Sequence, residues 1–456
     1  MVTTQIRKKS DIFGWPLVGF IFKNRLALFT VRTVTMLLFV SALYFGFAYP
    51  ELAQNPYTTA IFWSLFWPFF MIISIVALGP GFCGICPHGV MGRWFAKLGL
   101  QKEVPSWLKH RGIGLAILIV LYWLPVYLLP GVLKIPLVAS SLFLLLTVVA
   151  AVSYSMFKDM AYCSYLCPIG AVTKTFGKMG SVKLSTYQSA CKECETFDCA
   201  TACAAGLQPY LFEKKNSMRD CTLCMDCAQS CEAVSFSIVK PMSGLTGEIK
   251  DRHNMHVWVF VALLSVITIS MNFHHALGHS PIKTDLPWYK LGMWMESGMP
   301  LGIDWVGFNA VWMAIISVLF FVFGGFKLAS MIAKEPLNEV TKNLAYSLAP
   351  LMILGSLSHV GSFFFLHYAS DLVNAYYWLL GNETVIKPLA TFRDKWVHLF
   401  SLFGYLGAII SAVLLYIRLG RYELAMPKKF LAWLSAGAMV WFYLFLQWLQ
   451  MAVRFS

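Results

Sequence analysis

The chain has 456 residues, of which 58% are hydrophobic and only 13% charged, with a mean hydropathy of +0.65. That balance excludes a water-facing globular surface, and several apolar stretches approach or exceed the span of a bilayer, so the chain reads as a polytopic membrane protein. Its net charge of +14 would suit a nucleic-acid binder, but the Lys and Arg sit mostly in alternate loops, where they set membrane orientation and meet anionic lipid.

Apolar length predicts about nine transmembrane helices, near residues 26–49, 60–78, 113–129, 137–157, 257–275, 306–323, 344–366, 397–417 and 430–451. The polar, basic stretch 1–25 precedes the first of them, so no cleavable signal peptide is expected. Basic residues precede the first helix (Lys23, Arg25). They return after the second (Arg93, Lys102, Lys109), the sixth (Lys327, Lys334) and the eighth (Arg418, Arg421), whereas the loop 50–59 has none. The positive-inside rule then puts the N-terminus in the cytoplasm and the C-terminus outside. All twelve cysteines would lie on or near the cytoplasmic face, where thiols stay reduced.

The cysteines fall into four groups: Cys83-x2-Cys86, Cys163-x3-Cys167, Cys191-x2-Cys194-x4-Cys199-x3-Cys203, and Cys221-x2-Cys224-x2-Cys227-x3-Cys231. The last has the spacing of a bacterial-type [4Fe–4S] ligand run, and the third is the same run with two extra residues. In such runs three close thiolates wrap one cluster and the fourth reaches the other. Cys191, Cys194, Cys199 and Cys231 are therefore assigned to one cluster, and Cys203, Cys221, Cys224 and Cys227 to a second. Zinc, which usually takes two separated CxxC pairs, fits two runs of four poorly, and disulfides would need the oxidising side. The expected fold is an all-α membrane protein with an inserted small α+β, bacterial-ferredoxin-like 2[4Fe–4S] domain on the cytoplasmic side. Residues 1–180 would be a four-helix membrane domain, 181–250 the ferredoxin-like domain, and 251–456 a five-helix membrane domain.

The first part contains a repeat. CPHGVMGRWFAKLG (86–99) aligns without gaps on CPIGAVTKTFGKMG (167–180), with six of fourteen positions identical and Arg93 opposite Lys174. Both copies would lie on one side of the membrane, related by an axis along its normal, which brings the two Cys pairs together. Pro87 and Pro168 suit a first helical turn. Cys83, Cys86, Cys163 and Cys167 could hold a third [4Fe–4S] cluster, act as redox dithiols, or simply pack.

These motifs resemble the membrane polyferredoxins of the NapH, NosR and CcoG kind, which join helix-flanked CxxxCP motifs to a two-cluster ferredoxin segment. The resemblance covers roughly residues 26–240. It implies electron transfer between the quinone pool and a periplasmic reductase, a respiratory-chain role as the electron-transfer subunit of an oxidoreductase or quinol dehydrogenase. Alternatively, it implies an assembly factor that reduces a metal or thiol, such as copper, for a metalloenzyme. The chain departs from the pattern in the x2 spacing of Cys83 and Cys86, the x4 gap of the first run, and Ala204 and Glu232 where proline often follows the fourth Cys.

Beyond residue 256 the informative residues are histidines. His274, His275 and His279 cluster near the exit of the fifth helix, with His359, His367 and His398 at similar depth in the next helices. Ionisable groups in lipid are costly and are functional candidates by default. His274, His275, His359, His367 and His398 could hold haem b, or bind a quinol with Asp371, Arg393 and Asp394 as proton partners, or be structural. The loop with Trp288, Met293, Trp294, Met295 and Met299 reads as an interfacial segment, with Cu(I) binding as the alternative. His88 could tune the third centre, and His256 reads as an interface residue.

Overall fold

The computed structural model describes residues 10–70, 79–110, 112–176, 180–212, 218–240, 243–247, 253–391 and 394–455. By internal contacts the chain divides into two units. Met1–Leu118, Lys134–Gly244 and His367–Pro388 form the first; Ile119–Leu133, Leu245–Leu366 and Leu389–Ser456 form the second.

Six helical runs among the described residues are long and apolar enough to cross a membrane: Arg25–Ala48, Pro136–Met156, Asn254–His279, Trp305–Ala333, Leu337–Leu379 and Lys395–Leu419. They correspond to the first and the fourth to eighth expected helices. The third is the shorter apolar helix Gly112–Leu128, and residues 71–78 of the second lie outside the described residues. The ninth is not one rod. Met426–Ala436 and Ala438–Val453 meet at 55° around Gly437, where a Cβ would lie 2.7 Å from the Trp441 indole nitrogen. The seventh is longer than its apolar core: the 43-residue run Leu337–Leu379 would reach about 65 Å if straight, twice the hydrocarbon thickness. It carries a 3-10 turn at Ala345–Leu348 and a π-turn at Phe364–Tyr368.

In the first unit the helix Arg25–Ala48 starts at Asn24, whose side chain accepts hydrogen bonds from the amides of Leu26 (2.9 Å) and Ala27 (3.1 Å). It packs closely on Pro136–Met156, where a Cβ on Gly46 would fall inside the Ser140 hydroxyl, and small Ala42 and Ala139 are fully buried. Small residues of this kind let membrane helices approach. The unit also holds a two-stranded antiparallel sheet, β1 (Val182–Thr186) and β2 (Val234–Ile238), with Leu184 opposite Phe236. Its apolar face packs with Phe13, Phe212 and Met225 in one core. Asp11, nearly fully buried, ties the N-terminal segment to this sheet. Its Oδ1 accepts from the amides of Phe13 (3.0 Å) and Phe236 (3.1 Å), and its Oδ2 from the Tyr187 hydroxyl (2.8 Å).

The second unit is built on Asn254–His279, 78% of whose apolar window is buried, against 17% for Arg25–Ala48. Arg418, fully buried, donates to the carbonyls of Asn343 and Leu245 and to Asn343 Oδ1, so its charge is met by the end of the helix Leu337–Leu344. His256 is buried rather than interfacial and bonds the Tyr346 hydroxyl through Nδ1. The expected Met- and Trp-rich loop is the helix Pro287–Gly298. In it Trp288 stacks on Phe273 (4.4 Å) and Met295 sulfur accepts from Asn309 (3.4 Å), while Trp294 and Met293 face outward.

Replacing Asp11 with Ala removes a charged acceptor from buried amide and hydroxyl donors, at a cost of about 3 kcal/mol. Hydrogen exchange should show protection of the β1 and β2 amides falling by about two orders of magnitude. Unchanged protection would mean that the sheet does not depend on this carboxylate.

Candidate metal centres

All twelve cysteines are free, and they gather into three sets. In the repeat, Cys86 caps the helix Pro87–Leu98 and Cys167 precedes the helix Pro168–Phe176, each with proline in the first turn. Amides at these helix starts point at sulfur: the Gly170 amide donates to Cys167 Sγ at 3.3 Å, and those of His88 and Gly89 to Cys86. Such donors favour a sulfur that carries negative charge. The repeat extends to a glycine that spacing alone did not single out. A Cβ on Gly89 would lie 2.8 Å from the Cys83 carbonyl oxygen, and one on Gly170 2.5 Å from that of Cys163. The CPxG turn therefore folds each helix back over the first cysteine of its pair, and only glycine permits it.

The four thiols so placed are within electrostatic reach of one another. Burial, then Cys86 and Cys163, push the Cys83 thiol up to about 12, and burial pushes Cys86 up to about 11 despite the amides. Cys163 and Cys167 rise for the same leading reason. Thiols this desolvated ionise only beside compensating positive charge, which metal ions supply. Cys163 also meets the Tyr154 hydroxyl at 2.9 Å. His88 does not face the thiols as a tuning group. Its Nε2 meets Thr147 Oγ1 at 2.9 Å and its ring packs on Phe39 and Tyr162, and burial lowers its pKa to about 4.

The two longer runs show a second internal correspondence. Phe197 and Met225 adopt left-handed backbone (φ +49° and +63°), each followed by Asp-Cys-Ala at the start of a short helix, Asp198–Thr201 and Asp226–Ser230. Non-glycine residues in this region mark tight turns. Cys199 is influenced by Cys231, Cys191 and Cys194, and burial with these neighbours pushes it up to about 11. Cys203, Cys221, Cys224 and Cys227 instead line one small cavity of about 20 Å³, together with Arg93, Leu184, Phe212 and Met225. Burial raises all four of these thiols, with their mutual charge adding to it for Cys221 and Cys227.

The donor chemistry around that cavity suits an iron–sulfur cluster on a further ground. Arg93 is 8% exposed and its Nη2 is buried without a hydrogen-bond partner among the described residues, while its Nε pairs with Asp226 at 3.5 Å. Sulfide or cysteinyl sulfur in the cavity would give the orphan donor an acceptor. Lys174, at the equivalent repeat position, pairs with Asp220 at 3.3 Å, so the two basic residues of the repeat reach acidic residues in and immediately before the second run. Arg32 donates to Asp226 at 3.0 Å and to the carbonyls of Gly84 and Cys224. A Cβ on Gly84 would lie 2.6 Å from the Leu223 carbonyl oxygen. The repeat cysteines and the second run are thus packed backbone against backbone.

Three of the histidines of the second half share a cavity. His275, His359 and His398 line a cavity of about 170 Å³ in the second unit, with Asn272, Tyr443, Gln447 and Gln450. Asn272 Oδ1 accepts from both glutamines. His274 lies beside His275 and bonds Asp304 at 3.2 Å. His367 belongs to the first unit, as does Asp371, which accepts from Ser64 at 2.9 Å. Asp394 accepts from Thr391 on an exposed turn, and Arg393 lies outside the described residues.

Residues 59–105 and 140–186 each match the family described as a 4Fe-4S binding domain. The two matches are offset by the same number of residues as Cys86 and Cys167, so they fall on the repeat in register. The Escherichia coli protein YccM, whose name describes it provisionally as an electron transport protein, is 25% identical over 249 residues, covering 48% of this chain and 67% of that protein. An uncharacterized protein of the archaeon Methanocaldococcus jannaschii is 29% identical over 189 residues, 37% of this chain and 76% of its own length. A second one from the same organism is 27% identical over 176 residues, again 37% of this chain and 68% of its own. No solved structure matches the chain.

A Gly170→Ala substitution should drive the new methyl into the Cys163 carbonyl and part Cys163 from Cys167. We expect loss of about four irons per chain, with the absorbance due to the two longer runs retained. Full iron retention on elemental analysis would show that the CPxG turn has slack.

Proposed function

We propose, from the match of two segments to a 4Fe-4S binding domain and the likeness of part of the chain to YccM, that it is a membrane-bound electron carrier with three [4Fe–4S] clusters. It would pass electrons between a cytoplasmic redox partner and quinol or an outward-facing oxidoreductase. The reading rests on one observation above the others: Cys203 of the first run and Cys221, Cys224 and Cys227 of the second line one small cavity beside an arginine donor that has no partner among the described residues. This is the crossed ligand pattern of two-cluster ferredoxins. Its counterpart set is Cys191, Cys194, Cys199 and Cys231, and the repeat supplies Cys83, Cys86, Cys163 and Cys167. Residues 181–250 act as the ferredoxin-like domain between two membrane parts, 1–180 and 251–456, in an inner-membrane protein with its N-terminus inside.

Bound clusters supply one-electron redox chemistry. The chain's own residues do the rest. Buried Met160, Leu184 and Phe212 keep water from the cavity. Arg93 and Lys174 bring positive charge between the repeat and the second run, where thiolate ligands would otherwise repel. Close packing of Gly84 on Leu223 keeps two of the three sets adjacent, as a relay requires.

The cavity of the second unit supports quinol as the membrane partner. About 150 Å³ holds a benzene-sized ring, and this cavity of about 170 Å³ is lined by amides that can hydrogen-bond a ring oxygen and by imidazoles that can also accept its proton. Haem would need a pocket of several hundred Å³.

Anaerobic purification with iron and sulfide analysis tests the cluster count: about twelve irons per chain is expected, and about eight would remove the third centre. A colourless protein with zinc at its thiols would sink the whole reading. For the quinol arm, His359→Leu and His398→Leu should leave iron content intact and slow cluster reduction by a quinol analogue at least tenfold. Equal rates in variant and parent would favour an assembly role over exchange with the quinone pool.

A further inference from the structure

We propose that His274, His275 and His279 bind a late first-row divalent cation, Zn²⁺ or Cu²⁺, with Asp304 as the group that orients His274. Consecutive residues of an α-helix point about 100° apart, so neighbouring histidines do not ordinarily share a ligand. Here the backbone changes that. Residues Asn272–Ala276 form a π-turn and Leu277–His279 a 3-10 turn, and one ring nitrogen from each of the three imidazoles lies within 4.8 Å of the others.

The pairwise geometry is that of a coordination site. His274 Nδ1 and His275 Nδ1 are 3.4 Å apart. Two Zn–N bonds of about 2.05 Å at a tetrahedral angle separate their nitrogens by about 3.3 Å. The same distance is long for an N–H···N hydrogen bond. His274 Nε2 meets Asp304 Oδ2 at 3.2 Å, which places the ring proton on Nε2 and leaves the Nδ1 lone pair facing His275. The carboxylate is itself fixed, because Asp304 Oδ1 accepts from the Gly307 amide at 2.8 Å as the cap of the helix Trp305–Leu319. A carboxylate–histidine pair behind a metal is the usual outer shell of such sites. His275 and His279 are not packed over by other side chains among the described residues, and their rings are parallel, 6.5 Å apart, at the end of the helical run Asn254–His279.

Three imidazoles without thiolate select zinc, copper or nickel over softer or harder ions. Three protein ligands also leave a fourth position for water or an exchangeable ligand. The inference does not depend on the electron-carrier reading, although His275 also lines the cavity assigned there to quinol.

The test uses the full chain in detergent, purified anaerobically so that its cysteines remain engaged, and treated with EDTA. Zn²⁺ is titrated against a chromophoric chelator, and Co²⁺ serves as the spectroscopic probe. One ion per chain is expected, with tetrahedral Co²⁺ bands and no thiolate charge-transfer band. A His275→Ala/His279→Ala double variant should lose that ion while iron content stays unchanged. Asp304→Asn keeps the helix cap and should weaken binding 10–100-fold. The proposal is overturned if the double variant binds Zn²⁺ as tightly as the parent, or if the Co²⁺ spectrum shows thiolate ligation.

Discussion

The Asp226 carboxylate joins parts of the first unit that are far apart in sequence. It accepts from Arg32 of the first membrane helix and forms an ion pair with Arg93 of the repeat, and it sits at the start of the helix that carries Cys227. Each partner is largely removed from water, with side-chain exposures of 13% and 9% for the arginines and 22% for the aspartate. Such pairs gain little net stability, because desolvation offsets much of the attraction, but loss of one member leaves a buried charge at high cost. The gain is in geometry. With Arg32 also holding the carbonyls of Gly84 and Cys224, one charge network fixes the repeat loop against the second cysteine run.

That constraint explains why burial of so many thiols is tolerable. Desolvation is the leading cause of the raised thiol pKa at each buried cysteine for which a shift is resolved, and neighbouring thiolates add to it in most of them. Such a cluster of groups is stable either fully protonated or bound to metal, and it is poorly disposed to partial ionisation. The basic pair Arg93 and Lys174 supplies positive charge at the seam without making the cavity polar, because both are themselves anchored on acidic residues in and immediately before the second run.

The cysteine sets were legible because ligand spacing is local. A cluster wrapped by three thiolates two or three residues apart writes itself into the chain, and the repeat could be aligned by identity. The contacts that hold those sets together were not legible. Gly84, Gly89 and Gly170 look like ordinary turn glycines, and only the carbonyl facing each one shows why a side chain is excluded. Asp11 lies in a stretch read only as polar and basic, yet it bonds Phe236, 225 residues away. Hydropathy located most membrane helices but not their ends or breaks. It averages over a window and does not register a bend at Gly437 or the extension of the seventh helix to Leu379.

The histidines show the limit most clearly. Depth along a helix placed six of them at one level, but which ones meet depends on rotation about each axis. In the second unit that rotation is set by π-turns at Leu264–Ile269, Asn272–Ala276 and Phe320–Gly324. A π-turn inserts one residue and turns every later side chain relative to an ideal helix. His274 and His275 therefore face a common point instead of diverging, and His275 still reaches the cavity shared by His359 and His398. His367 sits in a π-turn of its own and belongs to the other unit. Periodicity read at 3.6 residues per turn cannot anticipate this, since apolar residues fill every face of a membrane helix and leave no stripe to betray the shift. Irregular backbone among regular helices is thus the feature that turns scattered polar residues into sites.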